Sequence, residues 1–518
     1  MVNRLEDMSD KKTMLLIHPP ISKPCEPPPG LAKLVGALRT NGIECRAFDA
    51  NLEGIYHLLG RPITANDTWS RRAVRNIGAN MESIRSGQVF SSPDRYKRAV
   101  MDINRVLNMA GREYGFDISL SNYGSSTLVP VQSRDLITSA RRFRENPFFP
   151  HFEKRLTELF AEQQPDITGL SINFISQALC AFAIAGFIKQ HFPKTRIVLG
   201  GGLITSWMNI PGFDNPFKGL ADDLVAGPGE LALLSMCGKQ GPCCSSSYSG
   251  YDYGDFALSR YLSPGPVLPY SASRGCYWQK CAFCPEKAEN SAYIPSDPQD
   301  VTDDIRRLTG EIDPSLIHFV DNALSPKFLR HLIKNPPGGP WYGFARITPH
   351  LADPGFVRGL KDAGCVMLKL GIESGDQAVL DGLQKGIDIK TASRALKAIK
   401  KASIATYVYL LFGTPQETRA SAVKTLDFTL AHADLIDFLN LAIFNLPAYS
   451  EEAKGLDTVE FYQGDLSIYR EFVHPRGWNR NLVRQFIAKE FRKKPLIRLI
   501  LNNDPPFFTS NHAPFFRM

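Results

Sequence analysis

The sequence predicts an α/β chain in two parts: a doubly wound parallel sheet with a helical insertion, then a partial (β/α)6 barrel with a C-terminal capping region. Three observations carry this. Short apolar runs end in proline or glycine and alternate with helix-length stretches, the pattern of β-α-β units. The alternation lapses between about 55 and 160. It resumes beyond a Gly/Ser-rich stretch as six further strand candidates.

In chain order, Met14-Leu15-Leu16-Ile17-His18-Pro19-Pro20 reads as a buried strand running into a proline-rich loop. Leu31 to Thr40 is a helix stopped by Asn41-Gly42, and Ile43 to Asp49 a second strand. Polar, helix-like text follows, with turn signals at Ser91-Ser92-Pro93 and Asn146-Pro147. Strand alternation returns at Asp166 to Ile172. A helix at Ala178 to His191 and a strand at Arg196 to Leu199 come next, the strand ending in Gly200-Gly201-Gly202. Asp223 to Glu230 reads as a last strand and turn. Residues 1–240 thus form a Rossmann-like domain, with 241–262 as a linker.

The barrel, 263–446, takes its strands from Leu268 to Ser273, Ser315 to Val320, Trp341 to Arg346, Val366 to Gly371, Thr406 to Phe412 and Phe438 to Phe444. Helices at Pro298 to Leu308, Asp353 to Ala363, Lys390 to Lys401 and Glu417 to Ala431 separate them. Residues 447–518 mix helical and proline-rich text and end near the aromatic-rich run Asn503 to Phe508; they read as a cap on the substrate side.

Composition excludes some classes. At 43% hydrophobic and 22% charged residues, the 518-residue chain is ordinary globular protein. The polar stretch Met1 to Lys12 has no apolar core, so it is not a secretory signal. The longest uncharged apolar run, Ala178 to Ile188, is too short to span a bilayer. Ten scattered cysteines are not a disulfide scaffold, so a reducing cytoplasm is the expected location. The +8 net charge is concentrated: Arg61 to Pro150 holds fourteen Lys/Arg against eight Asp/Glu. That excess reads as a solvated helical face or a lid over an anion. No interleaved aromatic and basic motif announces a nucleic-acid partner.

The most informative feature is Cys276, Cys281 and Cys284 in Ser273-Arg274-Gly275-Cys276-Tyr277-Trp278-Gln279-Lys280-Cys281-Ala282-Phe283-Cys284. Three thiolates this close can hold three corners of a [4Fe–4S] cluster, and no nearby fourth cysteine takes the remaining iron. Soft thiolates also suit zinc, whose structural sites want four ligands. Cys281 and Cys284 make one Cys-x-x-Cys pair; Cys243 and Cys244 are adjacent and poorly spaced for one ion, and His318 lies in an apolar strand. Residue chemistry alone leaves iron–sulfur, zinc and unliganded thiols open. The loop follows the first barrel strand, at the strand ends where β/α barrels carry their active sites.

This segment resembles the radical S-adenosylmethionine (SAM) enzymes, whose triad is usually Cys-x3-Cys-x2-Cys with an aromatic residue, here Phe283, before the third cysteine. The first gap departs from that pattern, with four residues, Tyr277 to Lys280, where three are usual. The resemblance covers roughly 265–446 and includes three further motifs in order. Phe319-Val320-Asp321-Asn322 ends the second strand, Gly371-Ile372-Glu373-Ser374-Gly375 the fourth, and Phe412-Gly413-Thr414-Pro415-Gln416-Glu417-Thr418 the fifth. It implies that Asp321, Glu373, Ser374, Gly375, Phe412 and Gly413 line SAM, and that Arg346 pairs with its carboxylate or with substrate. Bland readings stand beside these: an N-cap at Ser374, a capped turn at Glu417 and a structural ion pair at Arg346.

The first domain resembles the cobalamin-binding domain of the cobalamin-dependent subgroup. The matching text includes Pro19-Pro20, Gly30, Ser171, Asn173, Gly200-Gly201-Gly202, Gly227 and Glu230, which the resemblance makes candidate cobalamin contacts. The Asp-x-His-x-x-Gly motif that ligates cobalt in many cobalamin proteins is absent. A degenerate domain without cobalamin is the alternative. Together these resemblances imply reductive SAM cleavage at a [4Fe–4S] cluster and, with cobalamin, methylation of an unactivated carbon in a small-molecule or peptide substrate. Flavodoxin or ferredoxin would supply electrons. Cyclisation, rearrangement or oxidation without methyl transfer is one alternative; a zinc-binding scaffold is another. No catalytic acid or base is legible.

Overall fold

The computed structural model describes residues 12–239, 250–504 and 513–516. Cys243, Cys244, part of the expected linker and most of the run Asn503 to Phe508 lie outside the described residues. The chain divides into two compact units. One comprises residues 1–86, 97–262 and 463–467, the other 87–96, 263–462 and 468–518.

The first unit is built on β1 (Thr13–Ile17), α1 (Pro29–Thr40), β2 (Glu44–Phe48), β3 (Ile167–Ser171), α2 (Ile175–His191), β4 (Arg196–Gly200) and β5 (Asp223–Leu224). The five strands are parallel, in the order β2-β1-β3-β4-β5. Chain order runs outward both ways from β1, the reversal that defines a doubly wound sheet. Strands β1 and β3 are buried along nearly their whole length, as parallel strands covered on both faces are. The uncharged run Ala178 to Ile188 is buried on all sides within α2. Gly186 admits the closest neighbour, since a Cβ there would lie 1.9 Å from the Ala140 carbonyl oxygen. No described helix is long and apolar enough to cross a membrane. The segment after β2 is helical as expected, with helices Ala50–Gly60, Thr68–Arg85, Pro93–Arg112, Ser133–Arg141 and Phe149–Gln163. It also holds a small hairpin, Phe116–Ile118 with Tyr123–Ser125.

The second unit carries β6 (Val267–Tyr270), β7 (Leu316–Leu324), β8 (Trp341–Ala345), β9 (Cys365–Glu373), β10 (Ala405–Phe412) and β11 (Phe438–Ile443). They form one parallel sheet in sequential order, the topology of a partial barrel. Val267, Leu316, Tyr342, Met367, Ala405, Tyr407 and Phe438 fill its lower interior. One layer higher, buried Lys369 lies 3.0 Å from His318 Nε2 and over the ring of Tyr342.

Two strand ends differ from expectation. The first strand stops at Tyr270, because Ser271 turns the chain by donating to the Ser273 carbonyl. Residues Ser273–Arg274 then pair antiparallel with Ile294–Pro295. The second strand runs on to Leu324, so Asp321 lies within it, in the bulge where the pairing with β8 slips. The C-terminal region also holds a three-stranded antiparallel sheet of Leu446–Pro447, Thr458–Glu460 and Tyr469–Phe472. Strands of two to four residues leave no periodicity to detect.

Candidate functional site

The cysteine loop starts just beyond β6. Asp321 fixes its base, accepting from the Ala272 amide at 2.9 Å and the Ser273 hydroxyl at 2.5 Å. Both carboxylate oxygens are thus engaged, and the structure gives Asp321 the task of setting the loop's departure. Cys281 is buried and Cys276 and Cys284 half-buried. Burial pushes the Cys284 thiol up to about 11 and raises Cys281, while Lys385 and Arg346 oppose the rise at Cys281. Cys276 acts on the ionisation of both other thiols, so the three share one electrostatic neighbourhood.

Such a donor set fits a group that takes one thiolate on each of three irons. Among the described residues, no three His, Cys, Asp or Glu side chains are gathered as a single metal ion would need. A second feature fits an absent partner. Arg346 is 8% exposed, no described carboxylate pairs with it, and its Nη2 is buried without a hydrogen bond. The structural ion pair that stood as the alternative for Arg346 is not found among the described residues. The guanidinium instead stacks 3.9 Å from the Trp278 ring centroid, and Cys281 is among its neighbours.

Glu373 ends β9 at φ 68°, a left-handed conformation costly for a non-glycine residue. Its Oε1 accepts from Lys385 Nζ at 2.8 Å, and both side chains are about nine-tenths buried, at 11% and 10% exposure. Lys385 also lies 5.3 Å from the ring centroid of Phe283, which places that aromatic residue beside the Glu373 pair. Ser374 and Gly375 turn the other way. Thr425 Oγ1 lies 3.1 Å from Ser374 Oγ and accepts from the Gly375 amide, and a Cβ on Gly375 would strike Lys424 and Phe428. The N-cap of the following helix, Gln377–Gly382, is Asp376, so the capping role considered for Ser374 is corrected.

At the end of β10, Phe412 packs its ring on Phe486 and Phe491 and points away from the barrel interior. Gly413 turns at φ 77° and donates its amide to Glu417. Glu417 also accepts from Trp478 Nε1 at 2.9 Å, while its Oε1 is buried without a partner. Burial raises this carboxyl to about 7, against the two hydrogen bonds that lower it. An acid raised on folding favours the folded state below its ordinary pKa, and the advantage is lost as pH climbs through 4.5 to about 7. Glu417→Gln should therefore gain on the parent chain between pH 5 and pH 8, approaching about 3 kcal/mol. Urea unfolding at several pH values checks this; a difference flat with pH would contradict it.

In the first unit, the candidate residues gather at the carboxyl edge of the sheet. Pro19 and Pro20 follow β1, and Gln177 holds the Pro19 carbonyl at 2.7 Å. Asn173 donates to Ser171 Oγ and accepts from the Gly202 amide, bracing the loops after β3 and β4. Gly201 sits at φ 103°, where a Cβ would come within 2.6 Å of the Ile172 carbonyl oxygen. Gly227, at φ 70°, donates to Thr205, and Glu230 opens the next helix. Gly30 lies exposed in the first turn of α1. His18 is buried, with Nε2 2.7 Å from Ser22 Oγ and Nδ1 facing Gln177. Burial holds it below the ordinary histidine range.

Lys385 and Trp478 escaped the sequence reading, as did the contacts of Trp278. The one available signal was Gly386, whose φ of 62° marks a constrained turn beside Lys385.

Residues 270–429 match the Radical SAM superfamily. Among curated proteins, the chain is 27% identical over 254 residues to an anaerobic magnesium-protoporphyrin IX monomethyl ester cyclase of Rubrivivax gelatinosus, covering 47% of this chain and 45% of that protein. It is 21% identical over 307 residues to an uncharacterized methyltransferase of Pyrococcus horikoshii, covering 53% and 66%. The chain thus matches only about half to two-thirds of the length of these relatives. Among solved structures, it resembles the radical SAM methyltransferase TsrM of Kitasatospora setae with tryptophan and a SAM analog bound. That likeness has a TM-score of 0.58 at 15% identity, over 95% of this chain and 90% of that one. It also resembles the cobalamin-dependent SAM radical enzyme OxsB with aqua-cobalamin bound, with a TM-score of 0.56 at 14% identity over 93% and 67%. The cysteine loop and the six-stranded parallel sheet lie in and around the matched stretch: residues 270–429 form a radical SAM domain, and the chain has the fold of the cobalamin-dependent radical SAM enzymes it resembles.

Proposed function

We propose that this radical SAM enzyme is a cobalamin-dependent methyltransferase acting on an unactivated carbon of a small-molecule or peptide substrate. The observation that carries the radical step is the loop of Cys276, Cys281 and Cys284 at the strand ends, with buried Arg346, paired to no described carboxylate, stacked on Trp278 of that loop. When bound, a [4Fe–4S] cluster supplies one electron for SAM cleavage, and cobalamin supplies the methyl group; such chemistry belongs to the cofactors. The chain's own residues bind and orient. Three thiolates would hold the cluster, Arg346 would meet an anionic group, and Glu373 would accept from ribose hydroxyls or an ammonium group. Asp321, Ser374, Gly375 and Gly413 would shape the walls, mostly through backbone and packing. A small electron carrier such as flavodoxin or ferredoxin would reduce the site.

The cobalamin part rests on the glycine-lined carboxyl edge of the first unit, from Pro19, Pro20 and Gly30 through Ser171, Asn173 and Gly200 to Gly202, Gly227 and Glu230. Bulky nucleotides bind beyond such strand ends. TsrM and OxsB were solved with cobalamin, and one curated relative is named a methyltransferase. His18 is committed to Ser22 and Gln177, so cobalt would receive no histidine from the loop after β1. Reconstituted protein is therefore expected to retain cobalamin, and the cob(II)alamin electron paramagnetic resonance spectrum should lack nitrogen splitting from an axial base. Nitrogen splitting would contradict the ligation, and failure to retain cobalamin would sink the methyltransferase reading.

The cyclase relative favours a second reading, ring closure or oxidation without methyl transfer. SAM labelled in its methyl group separates the two. Label recovered on cobalamin supports methyl transfer; retained but unlabelled cobalamin supports the second reading.

A further inference from the structure

The first cysteine gap holds four residues, and a longer loop is freer unless something ties it down. Trp278, inside that gap, supplies the tie. Its indole Nε1 donates to the Gln384 carbonyl at 3.0 Å. The Arg346 guanidinium lies 3.9 Å from its ring centroid, and Lys280 Nζ lies 5.1 Å away. The Ala282 amide adds a second tie, to the Leu383 carbonyl at 2.9 Å. The turn that receives these bonds is itself constrained, with Gln384 at φ 52° and Gly386 at φ 62°. Gly386 is the surface on which the indole rests. A Cβ there would lie 2.2 Å from the Trp278 ring and 3.1 Å from Arg346 Nη2. Between them, Lys385 reaches Glu373 at 2.8 Å and the Phe283 ring at 5.3 Å.

We infer that Trp278 is a positioning residue that locks the cysteine loop and Arg346 onto the turn from Leu383 to Gly386, coupling the cluster site to Glu373. The inference rests on the cluster reading of the triad. It assigns the four-residue gap a purpose, the room for an indole that holds Arg346 beside Cys281. A cation held there favours the reduced cluster, because reduction adds negative charge to it.

The test uses full-length, anaerobically reconstituted protein and four variants. Trp278→Ala keeps all three cysteines and should keep its iron. Its cluster midpoint should shift to lower potential as Arg346 loses its seat. Its dissociation constant for SAM, read from the SAM-induced change in the reduced cluster's paramagnetic resonance, should rise about tenfold, the scale of one desolvated cation–π contact. Trp278→Phe retains the stack, loses only the indole N–H bond and should restore the potential. Gly386→Ala displaces the indole without touching the loop and should reproduce the Trp278→Ala shift, which keeps the test decisive if the latter loses its cluster. Arg346→Gln should lower the potential in the same direction. Unchanged potential and SAM response in Trp278→Ala and Gly386→Ala overturn the inference, even if their melting temperatures fall. A parent protein that assembles no iron at the triad overturns the cluster reading and this inference with it.

Discussion

Replacing Cys276, Cys281 and Cys284 together with Ala is expected to abolish the cluster, about four iron and four sulfide per chain in anaerobically prepared protein. The loss should be complete because no other described cysteine can stand in. Cys25, Cys45, Cys180 and Cys365 are buried elsewhere, and half-buried Cys237 belongs to the first unit, apart from the triad in the chain. Cys180 and Cys365 are fully enclosed, and burial raises both thiols far above their ordinary range. With no exposed surface, neither can meet a cluster without the fold opening. Cys281 is buried too, but it lies in the loop that carries Cys276 and Cys284, with Lys385 and Arg346 supplying positive charge beside it. The measurement is iron and sulfide content with the broad absorbance at the blue end of the spectrum. Unchanged iron in the triple variant, or stoichiometric zinc in protein made with iron available, would return the site to the zinc reading. The other Asp, Glu and His candidates give zinc little help, since none joins two of these cysteines among the described residues.

The outline of this site was legible because strands buried on both faces are written as apolar runs, and strand-end loops as glycine, proline and acid. All six barrel strands fall on such runs, and the triad is local in sequence. What the sequence concealed is contact between loops. Glu373 and Lys385 face each other across a helix and turn, and no periodicity records that meeting. The Trp278 contact with Arg346 spans two strand ends and is invisible for the same reason. Phe412 shows the converse failure. A motif placed it beside a ligand, but strand alternation turns its side chain to the outer layer, where Phe491 receives it. Glu417 looked like a helix-capping acid, and the cap is Thr418 one residue on. The carboxyl is instead a buried link between the Gly413 turn and Trp478.

Glu373→Ala is expected to damage the protein twice over, and the two effects can be separated. Removing the carboxylate strands the Lys385 ammonium, about nine-tenths buried, without its partner. Breaking a buried pair from one side costs about 3–5 kcal/mol, because the remaining charge keeps its desolvation penalty and loses its compensation. The same change removes a charged acceptor for SAM, a further loss of about 1.5–3 kcal/mol in binding. Urea unfolding of the cofactor-free chain reads the first effect, and SAM affinity the second. Glu373→Ala/Lys385→Met removes both charges and keeps apolar bulk against Phe283, so most of the stability should return. SAM affinity should not return with it, because no acceptor has been restored. If affinity recovers together with stability, Glu373 serves only to neutralise Lys385, and the ribose or ammonium contact belongs to another residue. If neither recovers, Lys385 has a task of its own, for which its position between Glu373 and the Phe283 ring, with its charge acting on Cys281, is the physical basis.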